Sequence, residues 1–295
     1  MMRRTQHQQE VQAFLQRHIS NQTWDLTLPQ GSGHETYFAQ CGGQTYFVKI
    51  GVQIARYQAL AAMGLTPQVL ATGSLADGAS LLVQAYVAGT SPSRREYRLH
   101  LAQFAAAVRQ LHHNAALQKL LPQAPSNLYA AAGLEALNRL EQKWARCRAQ
   151  VPQAADFVDH SLGGLRQKIA DFQGAGLLAS HNDICNANWL VSTDGKVYLI
   201  DLESMSLDDP ALDVGATLWW YYPPQLRESF LTEAGYPQDA AFQQRMQVRM
   251  AMHCLHILLP REQSFDVFDP DDFTQSLADF RAVLAGEENP QGYED

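Results

Sequence analysis

Two segments in the second half of the chain combine acidic and amide side chains at a spacing suited to chemistry. Residues 180–188 read SHNDICNAN after an apolar run, and residues 198–203 read YLIDLE at the end of another. Each run predicts a strand leading into a polar loop, so Asp183, Asn188 and Asp201 are expected to converge on one small volume. A carboxylate that accepts a hydroxyl proton and hard oxygen ligands for Mg²⁺ are what phosphoryl transfer requires.

In such a site, Asp183 would orient the attacking hydroxyl and accept its proton, while Asn188 and Asp201 would bind the metal. Glu203, two residues after Asp201, is a candidate ligand for a second metal ion. A single Asp or Asn often serves only to hydrogen-bond its own backbone in a loop. That explanation is weak for the whole set, because it requires the patterns H-x-D-x-x-x-x-N and I-D-x-E to coincide by accident.

The pattern H-N-D-x-x-x-x-N, followed by I-D-x-E and by Asp209-Pro210-x-x-Asp213, resembles the aminoglycoside phosphotransferase and choline kinase family of small-molecule kinases. The resemblance extends over most of the chain, residues 28–222, and is most specific over residues 180–213. It implies the two-lobed protein-kinase-like fold. Asn182 stands where the aminoglycoside branch usually has Gly, which makes this segment more similar to the choline kinases.

The resemblance also implies a role for each residue of the pattern. Asp183 would be the catalytic base, and Asn188 and Asp201 would be ligands of Mg²⁺. His181 would brace the catalytic loop, and Asp213 would brace the same loop rather than touch the substrate.

Such a fold needs a strand lysine that contacts the phosphates of ATP. Lys49, the only lysine before residue 119, lies in the predicted strand YFVKI, and its alternative role is that of a solvent-facing strand lysine. The glycine-rich segment Gly31-Ser32-Gly33, one hairpin earlier, is expected to cover the phosphates with its backbone N–H groups. By itself such a segment is a common turn.

Kinases usually pair this lysine with a Glu on the following helix, but no acidic residue occurs between Lys49 and Asp77. Gln53 is the expected counterpart, either as a neutral partner of Lys49 or as the sign of a weakened nucleotide site. Gln84 and Tyr86 belong to the predicted hinge strand, whose backbone would face the adenine edge. The same segment also fits an ordinary buried strand.

The acceptor is less clearly encoded. Trp219, Trp220 and Tyr222 are candidates for an aromatic cage around a quaternary ammonium group. Consecutive aromatic residues point to different sides of a helix, so core packing is expected for at least two residues of this run. A cationic acceptor, choline-like or aminoglycoside-like, is favoured by acidic residues at Glu203, Asp208, Asp209, Asp213 and over Asp266–Asp272.

Hydrophobic periodicity predicts the elements that position these residues and divides the chain at residue 88. The class is α+β, with a small β-containing N-terminal nucleotide-binding lobe over 1–88 and a larger, mostly helical catalytic and substrate-binding lobe over 89–295. The first lobe is predicted to contain helices over 5–20 and 53–63, a hairpin of strands 36–40 and 44–50, and strands over 68–72 and 80–87. The second is predicted to contain helices over 95–114, 129–149 and 153–172, short strands near 178, 190 and 198, and further helices from residue 211.

Composition narrows the classes of protein. The 295 residues are 46% hydrophobic and 18% charged, and 22 Lys and Arg against 30 Asp and Glu give a net charge of −8, which argues against a nucleic-acid binder. No apolar run reaches the length of a membrane span, and no signal peptide is expected. Four widely spaced cysteines indicate neither a zinc site nor a disulfide framework, and they favour a cytoplasmic location.

The expected function is therefore an ATP- and Mg²⁺-dependent phosphotransferase acting on a hydroxyl of a small cationic molecule. One alternative is a catalytically weak nucleotide-binding homologue, which the absence of a helix glutamate favours. The other is a metal-dependent hydrolase built on the acidic residues around His181. It would normally include more histidines, and it leaves Lys49 without a role.

Overall fold

The structure, a computed structural model, describes residues 2–29, 35–260 and 268–295. The chain divides into two compact units. The N-terminal unit consists of Met1–Ser91 together with Ala187–Ser204, and the C-terminal unit consists of Pro92–Asn186 together with Met205–Asp295. The α+β class is confirmed, with an antiparallel sheet in the first unit and mostly helices in the second.

The N-terminal unit is built on a five-stranded antiparallel sheet with the strand order β1-β2-β3-β5-β4. The predicted hairpin of β2 and β3 is present, and Gly42 and Gly43 both have positive φ at its two-residue turn, a backbone conformation that glycine adopts without strain. The buried face of α1 joins the core of this sheet. The elements are α1 (Met2–His18), β1 (Asp25–Thr27), β2 (Thr36–Cys41), β3 (Gln44–Ile50), α2 (Ile54–Ala62), β4 (Val69–Ser74) and β5 (Ser80–Ala85).

A three-stranded sheet completes this unit and explains why residues 187–204 belong to it. Strand β6 (Gly89–Thr90) pairs with β8 (Trp189–Ser192), which pairs with β9 (Val197–Leu199). Gly89 is required here, because a Cβ at this position would lie 2.3 Å from the carbonyl oxygen of Val191. Sequence periodicity cannot detect this long-range pairing, and the boundary predicted at residue 88 leaves the segment in the other lobe.

The C-terminal unit is mostly helical. The single helix predicted over 95–114 is two helices, because the backbone of His100 leaves the helical conformation. Strand β10 pairs antiparallel with β7, and neither β10 nor α5 was predicted. The elements are α3 (Arg94–Leu99), α4 (Leu101–His112), α5 (Ala115–Leu120), α6 (Tyr129–Cys147), α7 (Pro152–Ala170), β7 (Leu178–Ser180), β10 (Ser206–Asp208), α8 (Ala211–Tyr221), α9 (Pro224–Ala234), α10 (Ala240–Leu258) and α11 (Pro270–Ala285).

Within the described ranges, no helix has both the length and the apolar character needed to cross a membrane.

Candidate active site

In the C-terminal unit, a buried carboxylate holds the loop that carries Asp183. Asp213, in the first turn of α8, accepts hydrogen bonds from the backbone N–H of His181 at 2.6 Å and of Asn182 at 2.8 Å. Its side chain is almost completely buried. Two bonds from consecutive N–H groups fix the direction in which the chain leaves β7, one residue before Asp183.

The same carboxylate is paired with a second residue that the sequence analysis did not single out. His112, at the end of α4, lies with its Nε2 at 2.9 Å from Asp213 Oδ2, and its Nδ1 contacts the hydroxyl of Tyr236. Burial by itself would raise the pKa of Asp213, but the hydrogen bond and charge of His112 lower it below the ordinary value. Asp213 is therefore held as an anion. Nothing in the local pattern marks His112, because its partner lies 101 positions away.

Asn182 has a φ of 64°, in the left-handed region that Gly, Asn and Asp adopt most readily. The side-chain amide donates a hydrogen bond at 2.8 Å to Oγ of Ser206, the first residue of β10. This backbone conformation explains why either Gly or Asn suits the position, whereas a β-branched residue would be strained there.

His181 contributes to the loop contact described above through its backbone N–H, which donates to Asp213. Its ring is completely buried, and neither ring nitrogen finds a hydrogen-bond partner among the described residues. Asp183 is half-buried in the same unit. His253 of α10 lies within electrostatic reach of both Asp183 and Asp213, although burial lowers the pKa of its imidazole.

In the N-terminal unit, Lys49 of β3 is buried at 8% exposure. Its ammonium group donates to Tyr57 Oη at 2.9 Å and to the carbonyl oxygen of Ile200. Burial lowers the pKa of Lys49, and the charges of Asp201 and Glu203 oppose that shift. The lysine of the hairpin therefore contacts the segment that carries the I-D-x-E pattern, and it is not a solvent-facing strand lysine.

The expected pairing of Lys49 with Gln53 is wrong. Gln53 is exposed at the residue preceding α2, where its side chain makes no capping hydrogen bond. Tyr57, one helical turn further on, is completely buried and occupies the place beside the lysine. Its hydroxyl donates to Glu203 Oε1 at 3.2 Å. Burial, followed by the charges of Glu203 and Asp201, raises the pKa of Tyr57 far above its ordinary value, so the phenol remains protonated.

Asn188 and Asp201 flank the hairpin of β8 and β9. The pairing of Trp189 with Leu199 continues in a hydrogen bond of 3.1 Å from the Ile200 N–H to the Asn188 carbonyl oxygen. The residues therefore leave the hairpin at the same end. An amide and a carboxylate offer the hard oxygen atoms that Mg²⁺ prefers, and a magnesium site that includes substrate phosphates needs only one or two protein ligands.

The remaining nucleotide-site candidates differ in position. The side chain of Gln84 is buried and donates to the Pro67 carbonyl oxygen at 2.7 Å, and its backbone lies in β5 between Phe47 of β3 and Val69 of β4. Tyr86 follows β5 and is 47% exposed, with its ring edge-on to Phe38. Gly31, Ser32 and Gly33 lie outside the described residues.

The aromatic cage proposed for an ammonium group is not formed by Trp219 and Tyr222. Tyr222 is completely buried and donates to the Tyr97 carbonyl oxygen at 2.9 Å. Trp219 is 8% exposed and packs in the core edge-to-face with Trp220, which is half-buried. Consecutive aromatic residues at the end of α8 point in different directions, and three of the four residues in the run 219–222 are buried.

Three of the acidic residues expected to attract a cation are already paired inside the C-terminal unit. Asp208 lies 2.6 Å from Arg249, and Asp209 lies 2.9 Å from Arg245, both on α10. Asp213 is engaged by His112 as described above. These carboxylates stabilise the packing of α8, α10 and the loop after β7, so they contribute little field to an incoming substrate.

A hydrolytic metal centre of the kind considered above has no counterpart in the part of the chain that the structure describes. No group of three His, Cys, Asp or Glu side chains there is arranged to hold a metal ion.

The comparisons with known proteins agree with the fold. The sequence profile of the phosphotransferase enzyme family matches residues 12–244, which is more than half of the chain. Choline kinase LicA from Streptococcus pneumoniae is similar in structure with a TM-score of 0.64 at 17% identity, covering 95% of this chain and 99% of LicA.

Two further solved structures show the same likeness. A choline/ethanolamine kinase family protein from Mesorhizobium loti gives a TM-score of 0.65 at 19% identity, covering 94% of this chain and 98% of its own. The GDP and kanamycin complex of APH(2")-IIia gives a TM-score of 0.65 at 12% identity, covering 94% of this chain and 99% of its own. The fold is thus that of the choline kinases and aminoglycoside phosphotransferases, and the match of the profile over residues 12–244 shows that this chain belongs to the phosphotransferase enzyme family.

Proposed function

We propose that this small-molecule phosphotransferase transfers the terminal phosphoryl group of ATP, with Mg²⁺, to a hydroxyl group of a small cationic acceptor. The observation that carries the proposal is the position of Lys49. A buried ammonium group that is held by two neutral oxygens, and lies within electrostatic reach of Asp201 and Glu203, keeps its third N–H donor for a phosphate oxygen. Its alternative role as a surface lysine is excluded by its burial.

The residues of this chain would divide the chemistry among them. Asp183 accepts the proton of the acceptor hydroxyl as that oxygen attacks phosphorus, and Asp213 keeps the loop before Asp183 in one conformation. Lys49 binds the phosphates of the nucleotide. Asn188 and Asp201 would hold Mg²⁺, which when bound neutralises charge on the phosphate oxygens.

The preference for a cationic acceptor is supported by the net charge of −8, which attracts cations over roughly the Debye length of 8–10 Å. The internal pairing of Asp208, Asp209 and Asp213 reduces this support, because their charge is neutralised locally. A choline kinase and a kanamycin complex occur among the similar structures. Choline-like alcohols and aminoglycosides are therefore the first acceptors to test.

The test is a coupled assay of ADP release with choline, ethanolamine, kanamycin and an anionic sugar acid, each with Mg²⁺ and with EDTA. The proposal predicts Mg²⁺-dependent ADP release with at least one cationic alcohol, and direct detection of the phosphorylated product. Best turnover of the sugar acid would contradict the cationic preference. Absence of both nucleotide binding and ADP release with every acceptor would contradict the function itself.

A further inference from the structure

Lys49 lacks the helix carboxylate with which kinases usually hold this lysine, because the described helix α2 contains no Asp or Glu. The nearest side chain from α2 is instead a phenol. Tyr57 Oη accepts a hydrogen bond from Lys49 Nζ at 2.9 Å and donates one to Glu203 Oε1 at 3.2 Å. A hydroxyl group has one proton and two lone pairs, so it can make both bonds at the same time.

We propose that Glu203, acting through the hydroxyl of Tyr57, supplies the carboxylate that positions Lys49 for the nucleotide. This inference rests on the proposed function and assigns two positioning residues to the same site. The carboxylate comes from the end of the segment 198–203 instead of from α2. Tyr57 and Glu203 together then take the role of the acidic residue that α2 lacks, and the lack of that residue does not indicate a weakened nucleotide site.

A second set of contacts supports this relay from Glu203 through Tyr57 to Lys49, independently of the phenol. Arg56, the neighbour of Tyr57 on α2, donates from Nη1 to the carbonyl oxygens of Leu202 and Glu203, each at 3.3 Å. The first turn of α2 therefore holds both the main chain and the side chain of Glu203. Such a double attachment keeps the carboxylate near the phenol while the lysine binds phosphate.

The relay uses one carboxylate oxygen of Glu203, which receives the Tyr57 hydroxyl. The backbone N–H of Glu203 donates to Asp201 Oδ1 at 3.4 Å, so the two acidic residues are neighbours. We assign Glu203 a positioning role at Lys49, whereas the sequence pattern suggested a ligand of a second metal ion.

The test measures the dissociation constant of MgATP by calorimetry in a set of variants of the full chain. Tyr57→Phe and Glu203→Gln are each expected to raise it about 3- to 10-fold, the range of one lost hydrogen bond. The double variant should be no worse than either single variant, because both changes break the same relay. In a Lys49→Met background, Tyr57→Phe should have no further effect. A purely structural role of Tyr57 would persist in that background.

A rescue variant tests the direction of the relay. Tyr57→Glu combined with Glu203→Gln places the carboxylate on α2 and should restore an affinity close to that of the wild type, unlike Tyr57→Phe combined with Glu203→Gln. The matched control is Tyr46→Phe, which removes a tyrosine hydroxyl from β3 instead of α2. It should leave the affinity for MgATP unchanged. Each variant is checked for its melting temperature.

The outcomes separate the two proposals. A wild-type chain that does not bind MgATP contradicts the proposed function. Two results would overturn the relay alone, provided that the wild type binds MgATP. One is that Tyr57→Phe and Glu203→Gln raise the dissociation constant additively. The other is that Tyr57→Phe raises it as much in the Lys49→Met background as in the wild type. If the rescue variant does not fold, the comparison of the single and double variants and the comparison in the Lys49→Met background still decide the question.

Discussion

The two units hold their central charged residue in opposite ways. In the C-terminal unit, Asp213 is buried and fully engaged by two backbone N–H groups and by His112. In the N-terminal unit, Lys49 is also buried, but its bonds go to a phenol and a main-chain carbonyl, and the nearest carboxylates act at longer range. The first arrangement leaves the carboxylate fully used, whereas the second leaves one of the three N–H donors of the ammonium for a phosphate oxygen.

This difference follows from what each residue must do. A loop that presents a base has to keep one conformation, and charge-assisted hydrogen bonds in a dry site are about twice as strong as neutral ones. A lysine that binds a nucleotide must be held in place and still have a donor for phosphate, and an ammonium with three N–H groups keeps one when two are bonded to Tyr57 and Ile200. The contrast predicts that changes at Asp213 affect stability most, and that changes at Lys49 affect nucleotide affinity most.

The largest effect is expected for Asp213→Asn. An amide places N–H groups against backbone N–H groups that need an acceptor, so the free energy of unfolding should fall by about 3–5 kcal/mol, as when one partner of a buried pair is lost. Urea denaturation of the full chain measures this change. The control is Glu135→Gln, which breaks the exposed ion pair with Arg139 and should cost about 0–1 kcal/mol. Equal losses in the two variants would show that Asp213 is not the brace described here.

The next effect is expected for Lys49→Met. Methionine fills a similar volume without charge, so the protein should remain folded while the affinity for MgATP falls about 10- to 100-fold, the range of a lost charged hydrogen bond. Lys196→Met is the matched control, because Lys196 is an exposed lysine of the same unit whose ammonium lies over the ring of Tyr198. Calorimetric titration of both variants gives the comparison. A loss of affinity shared by both would indicate general electrostatic attraction instead of a contact made by Lys49.

The smallest effect on stability is expected for His7, a histidine of the N-terminal unit that contacts two carboxylates. His7 of α1 lies 2.8 Å from Glu35 and 3.0 Å from Asp77. The hydrogen bond with Glu35 raises the pKa of His7, burial opposes that shift, and Asp77 adds to it. The protonated form is thus favoured in the folded state, so the stability it contributes is complete below the unfolded pKa of about 6.5. That contribution is lost as the pH rises through the raised folded pKa.

His7→Gln should therefore lower the melting temperature more at pH 5.5 than at pH 9. The effect is expected to be small, because both carboxylates are partly exposed to water. Gln16→Ala, at an exposed position of the same helix that carries no titratable group, should change it equally at the two pH values. A loss for His7→Gln that is independent of pH would contradict the assignment of a charged His7.

Local patterns in the sequence were sufficient to predict the elements that carry Lys49 and Asp183. The hairpin of β2 and β3, the position of Lys49 on it, and the catalytic-loop pattern around Asp183 could all be predicted, because turns and strand periodicity depend on neighbouring residues. The helix break at His100 and the short strand β10 are set by packing in the folded chain.

The partners of the charged residues could not be predicted. Arg245 and Arg249 lie some 40 positions after the acids that they neutralise, and His112 lies still further from Asp213. Without these pairings, the acids look available to a substrate. Tyr57 was missed because a carboxylate or amide was expected. The missing acid on α2 could have directed attention to the next buried polar side chain on that helix.

In the proposed mechanism, Asp183 accepts a proton during phosphoryl transfer and does not bind the nucleotide. The most direct measurement compares wild type and Asp183→Asn in ADP release with the best acceptor, together with the MgATP dissociation constant of each. Turnover is expected to fall by a factor of about 10²–10⁴, the usual cost of losing a general base, while the dissociation constant changes by no more than about twofold. Turnover within a few-fold of wild type would contradict the assignment of Asp183 as the base.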